Sequence, residues 1–512
     1  MDPDYNPARL QLALDYLRLG EVEKAWPLAE AAADADPYNV LAFNLTVLQD
    51  EMESFAALTS PDFEIRMPRE ELEIYGQEAL QLLTDAKKVL TEKYGVTIEE
   101  PTLVEFYPNQ QDFAIRSFGS LGGEGLLGVC FGSVVTMNSP GSRTAGKNNW
   151  KATLWHEYAH VVTLTATRQK MPRWLSEGIS VYEEKLHQSN WGQTMTPRYR
   201  RRILEEGKIT PIAEMSQAFF EAENGEDVMF AYYQSMLVVE FLVENFGEEA
   251  LRGILTDLAD GHLINDAIER RTRPMAELEG EFAFYASDVA TRYGEDVDWY
   301  QPEPEEVNPR SNLAVAAFLE ANPRNFWARQ TLTVDHLNRE RWDEAISSAD
   351  ELINLLPEYT ESANGYILKA RALRAKGEFT AETAVLEKLA ELSAEAYLTY
   401  QRLIEVNFER EAWAAVLTNS ERSLAINPFT VSTHWCRGCA LVAEGREAEA
   451  VTAFERTLAL SPPNPSEVRV RLGGLLKEES PDEARRHVLD ALADSPRYRD
   501  GHTLLLELVR NQ

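Results

Sequence analysis

Cysteine is scarce in this sequence, which contains only Cys130, Cys436 and Cys439 among its 512 residues. A disulfide framework needs several paired cysteines, so this set excludes the class of small, disulfide-stabilised secreted proteins. Cys436 and Cys439 form a CxxC pair, but they fall inside a helical repeat and no second pair accompanies them. We therefore interpret them as packing residues and not as a redox or metal site.

Positive charge is also in short supply, with 50 lysines and arginines against 84 acidic residues and a formal net charge of −34 at pH 7. A surface this negative repels nucleic acid backbones and anionic membranes, so we expect neither as a partner. Uninterrupted apolar runs of roughly 18 residues, which a membrane-spanning helix requires, are missing as well. These absences predict a soluble protein, and the length predicts two or three domains.

The N-terminal residues lack the continuous apolar segment of a signal peptide, because Asp2, Asp4 and Arg9 interrupt them. As it stands, the sequence therefore predicts a cytoplasmic protein. Asp2-Pro3 nevertheless precedes Asp36-Pro37 by 34 residues, the length of one repeat. This spacing indicates a fragment that begins on the end of a repeat, and a signal sequence upstream of it stays an open alternative.

Prolines recur with a period of 34 residues, which is typical of stacked helical hairpins. The pattern resembles the tetratricopeptide repeat, whose small, aromatic and proline positions match Gly438, Ala450, Phe454 and Pro462. This resemblance predicts an N-terminal repeat within residues 1–60 and an all-α solenoid of about five repeats over residues 311–512. It also implies that the repeats bind a protein partner. The recurring prolines are Pro323, Pro357, Pro428, Pro462 and Pro496.

Between the repeats the period disappears and a mixed α/β pattern replaces it. Phe63 to Met67 and Thr102 to Phe106 are predicted strands, Glu70 to Tyr94 has helical spacing, and Gly128 to Asn138 is predicted to form a strand or hairpin. We place this domain at residues 61–295. The acidic, proline-rich residues 296–310 are predicted to be a linker.

His156 and His160 belong to an HExxH motif within an apolar helical segment. Histidines at positions i and i+4 project from one helical face and can reach the same ion, while Glu157 between them is directed toward the open side of that ion. A catalytic zinc needs a third protein ligand. Thr163 and Ala166 exclude the metzincin pattern, whereas Glu177, in the segment PRWLSEG that follows, meets the gluzincin pattern.

The segment from Trp155 to Glu184 resembles the metal-binding core of the peptidase MA-like domain found in bacterial tetratricopeptide proteins, and more distantly that of thermolysin and the gluzincin aminopeptidases. The resemblance implies a thermolysin-like zincin domain with a mixed sheet and helices. It makes His156, His160 and Glu177 ligands of one Zn²⁺, and Glu157 the general base of peptide hydrolysis.

Three further assignments concern residues around the ion. The resemblance matches an oxyanion-stabilising tyrosine to Tyr232, with Tyr233 as the alternative, and simple helix packing is the competing interpretation of either residue. Glu184 lies seven residues after Glu177 on the same helical face, which makes it a candidate partner for a ligand histidine. A solvated surface glutamate is the competing interpretation.

An exposed strand beside the active helix is expected to bind the substrate backbone. The candidate residues are Gly132, Ser133, Val134, Val135, Thr136, Met137 and Asn138. This stretch contains no glutamate, whereas the gluzincin aminopeptidases use one to hold the free amine of the substrate, so the sequence favours an endopeptidase. A scaffold protein with an inactive or structural zinc domain is the alternative function.

Overall fold

The computed structural model describes residues 5–120, 125–142 and 148–510. This part of the chain is mostly helical and contains one small mixed sheet. The strands are β1 (Phe55–Thr59), β2 (Phe63–Pro68), β3 (Thr102–Tyr107), β4 (Gly128–Cys130) and β5 (Val134–Asn138). The helices before the C-terminal repeats are α1 (Asn6–Arg18), α2 (Val22–Ala35), α3 (Val40–Met52), α4 (Arg69–Glu71), α5 (Gln77–Tyr94), α6 (Gln110–Phe118), α7 (Trp150–Ala166), α8 (Arg173–His187), α9 (Pro197–Leu204), α10 (Gly225–Ala259), α11 (Ile264–Arg271) and α12 (Met275–Arg292).

Helices α1 and α2 form an N-terminal hairpin. Gly20 turns the chain between them with a left-handed φ of 77°, a conformation that glycine adopts without steric cost. Ala25 and Ala32 of α2 are fully buried, so small side chains let the two helices approach closely. This is the arrangement expected for the predicted N-terminal repeat.

The sheet has the strand order β1-β2-β3-β5-β4. Strands β2, β3 and β5 are parallel, and β1 and β4 pair antiparallel at the two edges. The predicted domain boundary at residue 61 is one strand late, because Phe55 to Thr59 already pair with β2. The strands and the helix predicted within residues 63–138 are present.

A glycine sets the distance between α8 and α10. A Cβ on Gly178 would lie 2.5 Å from the Ser235 carbonyl oxygen, so only glycine permits this approach of the two backbones. The close packing brings the side chains of α10 to the α8 face that carries Glu177. Helix α10 bends sharply at Gly247, whose φ is 79°.

The C-terminal region contains five helical hairpins, preceded by one helix and followed by another. The helices are α13 (Asn312–Ala321), α14 (Phe326–Asn338), α15 (Trp342–Leu355), α16 (Gly365–Lys376), α17 (Phe379–Leu392), α18 (Tyr397–Glu409), α19 (Trp413–Leu424), α20 (Val431–Ala443), α21 (Glu447–Ala459), α22 (Pro465–Leu476), α23 (Pro481–Asp494) and α24 (Arg499–Arg510). In four of these hairpins the residue between the two helices has a left-handed φ value, between 57° and 76°, at Glu340, Gly377, Glu411 and Gly445. The tetratricopeptide interpretation is confirmed.

The acidic stretch predicted to be a linker is folded against its neighbours. The Tyr293 and Trp299 rings stack with centroids 5.9 Å apart, and Val307 is buried against the first helices of the solenoid. The backbone at Asp298 forms a β-bridge with Asn325. Most of residues 301–310 are exposed, while Trp299 and Val307 pack against Tyr293 and against helices α13 and α14.

The repeats contact the middle of the chain through the first turn of α7. The Trp150 backbone N–H donates to the Ala425 carbonyl at 2.9 Å, and the Trp150 indole N–H donates to the Leu424 carbonyl at 3.0 Å. The Phe429 ring packs edge-on against Tyr75. The C-terminal end of α19 therefore holds the N-terminal end of α7. Among the described residues, no helix is both long and apolar enough to span a membrane.

Candidate metal centre

Helix α7 brings the two histidines of the HExxH motif to one point. Its first turn is capped by Asn149, whose side-chain oxygen accepts from the Lys151 and Ala152 N–H groups. One helical turn separates His156 from His160, and their Nε2 atoms lie 3.1 Å apart. Two imidazole nitrogens this close together can coordinate the same metal ion.

Glu177 of α8 completes the group. Its Oε2 atom lies 3.2 Å from the Nε2 atoms of both His156 and His160. Ligands placed about 2.0–2.1 Å from a tetrahedral zinc ion are separated by about 3.3 Å. Two imidazole nitrogens and one carboxylate oxygen at these separations fit a Zn²⁺ ion bound by three protein ligands, the number typical of a catalytic zinc.

Each histidine also contacts a partner through its other ring nitrogen. The Nδ1 atom of His156 lies 2.6 Å from Glu184 Oε1, which places the glutamate where the helical spacing predicts it. The Nδ1 atom of His160 lies 2.8 Å from Ser176 Oγ and 3.2 Å from Ser180 Oγ. Such partners orient the rings and set the tautomer that leaves Nε2 free for a metal.

The sequence analysis did not predict that Ser176 and Ser180 contact His160, although their spacing could have indicated it. They are four residues apart on α8 and bracket Glu177, so helical spacing alone places them on a shared face close to the glutamate. Their short hydroxyl side chains suit a buried helix–helix contact, in which Ser180 is fully buried.

Opposite charges shift the pKa values of these groups in the absence of a metal. Burial disfavours a charged His156, but hydrogen bonds with Glu177 and Glu184 outweigh it and hold the His156 pKa well above its usual range. Burial would likewise raise the pKa of Glu177, yet His160 and His156 hold it well below its usual range. The carboxylate is therefore ionised, as a metal ligand must be.

Glu157 lies beside the three converging groups without joining them. Its side chain is 5% exposed, and Oε2 has no hydrogen-bond partner within the described part of the chain. Burial raises the pKa of this carboxyl group. A Cβ on Gly128 would lie 2.5 Å from Glu157 Oε1, so the glycine in β4 provides the space that this carboxylate occupies.

Tyr232 and Tyr233, which are adjacent on α10, place their hydroxyl groups in different environments. The Tyr232 hydroxyl donates to Glu177 Oε1 at 3.2 Å, and its ring centroid lies 6.4 Å from that of His156. The Tyr233 hydroxyl instead donates to the Met195 sulfur at 3.9 Å. Of the two candidates, only Tyr232 is next to the converging histidines.

Arg173 was missed by the sequence analysis. Its Nε donates to Glu177 Oε1 at 3.2 Å, and one of its terminal nitrogens donates to the Tyr232 hydroxyl at 3.4 Å. The guanidinium also lies over the Phe219 ring, 4.5 Å from its centroid. The arginine precedes Glu177 by four residues, a spacing that predicts an ion pair within a helix but not its contact with α10.

The predicted substrate strand is not at the edge of the sheet. Residues 134–138 form β5, which is buried between β3 and β4, and Gly132 and Ser133 lie in the turn that precedes it. The prediction of an exposed strand over Gly132 to Asn138 is therefore wrong. Strand β4 forms the edge on this side of the sheet, and its Gly128 lies against Glu157 of α7. The hairpin was predicted, but its first strand and not its second forms the edge.

Residues 83–272 match the family model of the Peptidase MA superfamily. The chain is a tetratricopeptide-repeat protein with a peptidase MA-like domain. The matched residues include the HExxH helix, Glu177, Glu184 and Tyr232. Among curated proteins, none matches the chain.

Three solved structures illustrate what the chain resembles. YrrB, a tetratricopeptide protein with an unusual peptide-binding site, is 17% identical at a TM-score of 0.30 and covers 39% of this chain and 100% of its own. The MamA protein is 19% identical at a TM-score of 0.28, over 33% of this chain and 93% of its own. Yeast Tom70 is 12% identical at a TM-score of 0.22, over 100% of this chain and 95% of its own. Scores this low do not establish a shared overall arrangement.

Proposed function

We propose that the peptidase MA-like domain is a zinc-dependent endopeptidase with a thermolysin-like arrangement of sheet and helices. The observation that carries the proposal is the convergence of His156, His160 and Glu177 at separations of 3.1–3.2 Å, with Glu157 unpaired beside them. A bound Zn²⁺ would polarise the peptide carbonyl and lower the pKa of a water molecule to about 7.

Glu157 acts as the general base in this proposal. Its Oε2 atom has no hydrogen-bond partner among the described residues, so it is free to accept a proton from water and to deliver it to the leaving amine. Burial raises its pKa, which brings the carboxylate closer to the pH at which it must exchange that proton. Cleavage then needs no second acid from the protein.

Tyr232 is the proposed donor to the oxyanion that forms as the carbonyl is attacked. Its hydroxyl lies on the Glu177 side of the centre, where it donates to the carboxylate oxygen that does not face the histidines. Arg173 contacts the same oxygen and the Tyr232 hydroxyl, so it holds the tyrosine in place.

An internal cut is favoured over removal of a terminal residue. The hairpin from Gly128 to Asn138 supplies no carboxylate for a free amine, and its edge strand β4 lies against Glu157. An extended substrate can pair with such an edge along its backbone. We propose β4 in place of β5 as the strand that binds the substrate.

The tetratricopeptide repeats are proposed to recruit either the protein substrate or a regulatory partner. Their contact with the first turn of α7 supports a link between the repeats and the active helix, because Trp150 is bonded to Leu424 and Ala425. A partner that moves α19 would also pull on the helix that carries His156 and His160.

Tyr232→Phe is expected to retain zinc and to lower peptide turnover by roughly 10²–10³-fold, since it removes an oxyanion donor. Tyr233→Phe is the matched control, and it is expected to keep wild-type turnover because its hydroxyl contacts Met195. Steady-state cleavage of a fluorogenic peptide separates the two. Equal activity of Tyr232→Phe and wild type would remove the tyrosine from the mechanism.

Glu184→Gln is expected to weaken zinc affinity by about 10–100-fold, because it replaces the carboxyl partner of His156 by an amide. Competition with a chelator of known affinity measures the change. Glu92→Gln, at an exposed position on α5, is the control. Unchanged affinity in Glu184→Gln would mean that the contact at 2.6 Å does not orient the ring.

A further inference from the structure

A cavity of about 400 Å³ lies between the peptidase MA-like domain and the repeats. The first turn of α7 forms one wall, and residues of α19 and α20 form another. We call it the interdomain cavity, and it is separate from the metal centre, because none of the three converging residues lines it. Its volume falls within the range of about 300–1,000 Å³ typical of small-molecule sites.

The charged side chains of the interdomain cavity are mostly cationic. Four of the six are positive, although acidic residues outnumber basic ones by 84 to 50 in the whole chain. The six residues are Lys151, Arg422, Arg437, Arg456, Glu78 and Glu421. The net charge of this lining is therefore opposite in sign to that of the whole chain.

Two of the four cations have carboxylate partners, and two do not. Arg456 forms a double hydrogen bond with Glu78, and Arg437 lies 3.7 Å from Glu421. Lys151 and Arg422 form no ion pair and no side-chain hydrogen bond with any described residue. Burial lowers the pKa of Lys151 against the opposing effect of Glu78 and Glu421, and the Lys151 ammonium lies 5.6 Å from the centroid of the Trp150 ring.

Lys151 and Arg422 are both partly buried, and a bound anion would supply the ion-pair partner that the described residues do not. The remaining walls suit the rest of such a ligand. Trp150, Trp191 and Tyr75 supply aromatic surface, and the amides of Gln188 and Asn190 supply hydrogen-bond donors. Aromatic walls combined with charged and amide groups are the composition of a site for an organic anion.

We propose that the interdomain cavity binds a small organic anion whose phosphate or carboxylate groups pair with Lys151 and Arg422. Lys151 belongs to the peptidase MA-like domain and Arg422 to the solenoid, so one ligand joins the two. The site adjoins Trp150, which already connects α7 to α19. Such a ligand stabilises the contact between the repeats and the active helix, and its binding does not depend on zinc or on peptide cleavage.

Isothermal titration of the full chain with ATP, inorganic pyrophosphate and citrate tests the proposal. Wild type is expected to bind at least one of these probes. Lys151→Met and Arg422→Gln are each expected to weaken that binding by about 10–100-fold, since each removes a charged hydrogen-bond donor. Lys88→Gln removes an exposed lysine of α5 and is expected to leave the affinity unchanged.

The three probes distinguish the sources of the anion. Preference for ATP over pyrophosphate identifies a phosphate ligand whose ring contacts the aromatic walls, and preference for citrate identifies a carboxylate ligand. Absence of binding by all three at about 10 mM would overturn the proposal. So would equal affinity of wild type and the Lys151→Met and Arg422→Gln variants, or an equal loss in Lys88→Gln, provided that circular dichroism shows all variants folded.

Discussion

Replacement of Glu157 by glutamine is expected to reduce peptide cleavage by about 10²–10⁴-fold, the usual contribution of a positioned general base. The amide has nearly the same shape as the carboxylate, so it fits the space beside Gly128 without displacing β4. It cannot accept the proton of a water molecule. Zinc is expected to remain, because Glu157 lies outside the three ligand atoms.

Two measurements on the same preparations check this expectation. Turnover is followed with a fluorogenic peptide, and zinc is measured by mass spectrometry of the digested protein. Glu92→Gln makes the same chemical change at an exposed position of α5 and is expected to match wild type in both. Loss of zinc together with activity in Glu157→Gln would show that the residue binds the metal and is not the base.

His160→Ala is expected to abolish stoichiometric zinc binding, from about one ion per chain in the wild type. It removes one of three ligands and leaves Ser176 and Ser180 without their shared partner. The loss should exceed the roughly 10–100-fold effect of removing a residue that only orients a ligand. Cleavage is expected to fall with the metal.

Dialysis against a chelator followed by metal analysis measures this loss. His262→Ala removes an exposed histidine outside the centre and is the matched control. A triple variant in which His156, His160 and Glu177 are all replaced gives the decisive zinc measurement, because none of the three proposed zinc ligands remains. Zinc retained at one ion per chain in that variant would place the metal elsewhere.

The convergence of His156, His160 and Glu177 could be predicted from sequence because it depends on helical geometry. Residues at positions i and i+4 share a helical face, which unites His156 with His160, and a seven-residue step places Glu184 on the face of Glu177. The turns of the repeats were predictable for a similar reason, since their period is constant. Even Glu340 and Glu411 adopt the left-handed conformation that their phase requires.

What depends on the pairing of distant segments could not be predicted. The order of strands in a sheet does not follow their order in the sequence. No local sequence pattern therefore indicated that β5 lies between β3 and β4, with β4 at the edge. The predicted boundary assigned the short strand β1 to the N-terminal repeat, because its five residues closely follow a helix of that repeat. The contact of Arg173 with Tyr232 spans 59 positions and depends on how α8 packs on α10.

The repeat–domain contact illustrates the same limit. The indole of Trp150, at the start of the HExxH helix, donates to the carbonyl of Leu424, 274 positions away. Composition predicted a linker over residues 296–310 but not the packing of Trp299 and Val307 within it. The presence of these two apolar residues in an otherwise polar stretch was the sequence signal that could have predicted this packing.

Mass-spectrometric profiling of a peptide library, incubated with wild type and with Glu157→Gln in parallel, tests the central claim most directly. Cleavage between internal residues by wild type, absent or at least about 10²-fold slower with Glu157→Gln, is the result expected of a zinc endopeptidase with this base. The same bonds cut at the same rate by both proteins would contradict it.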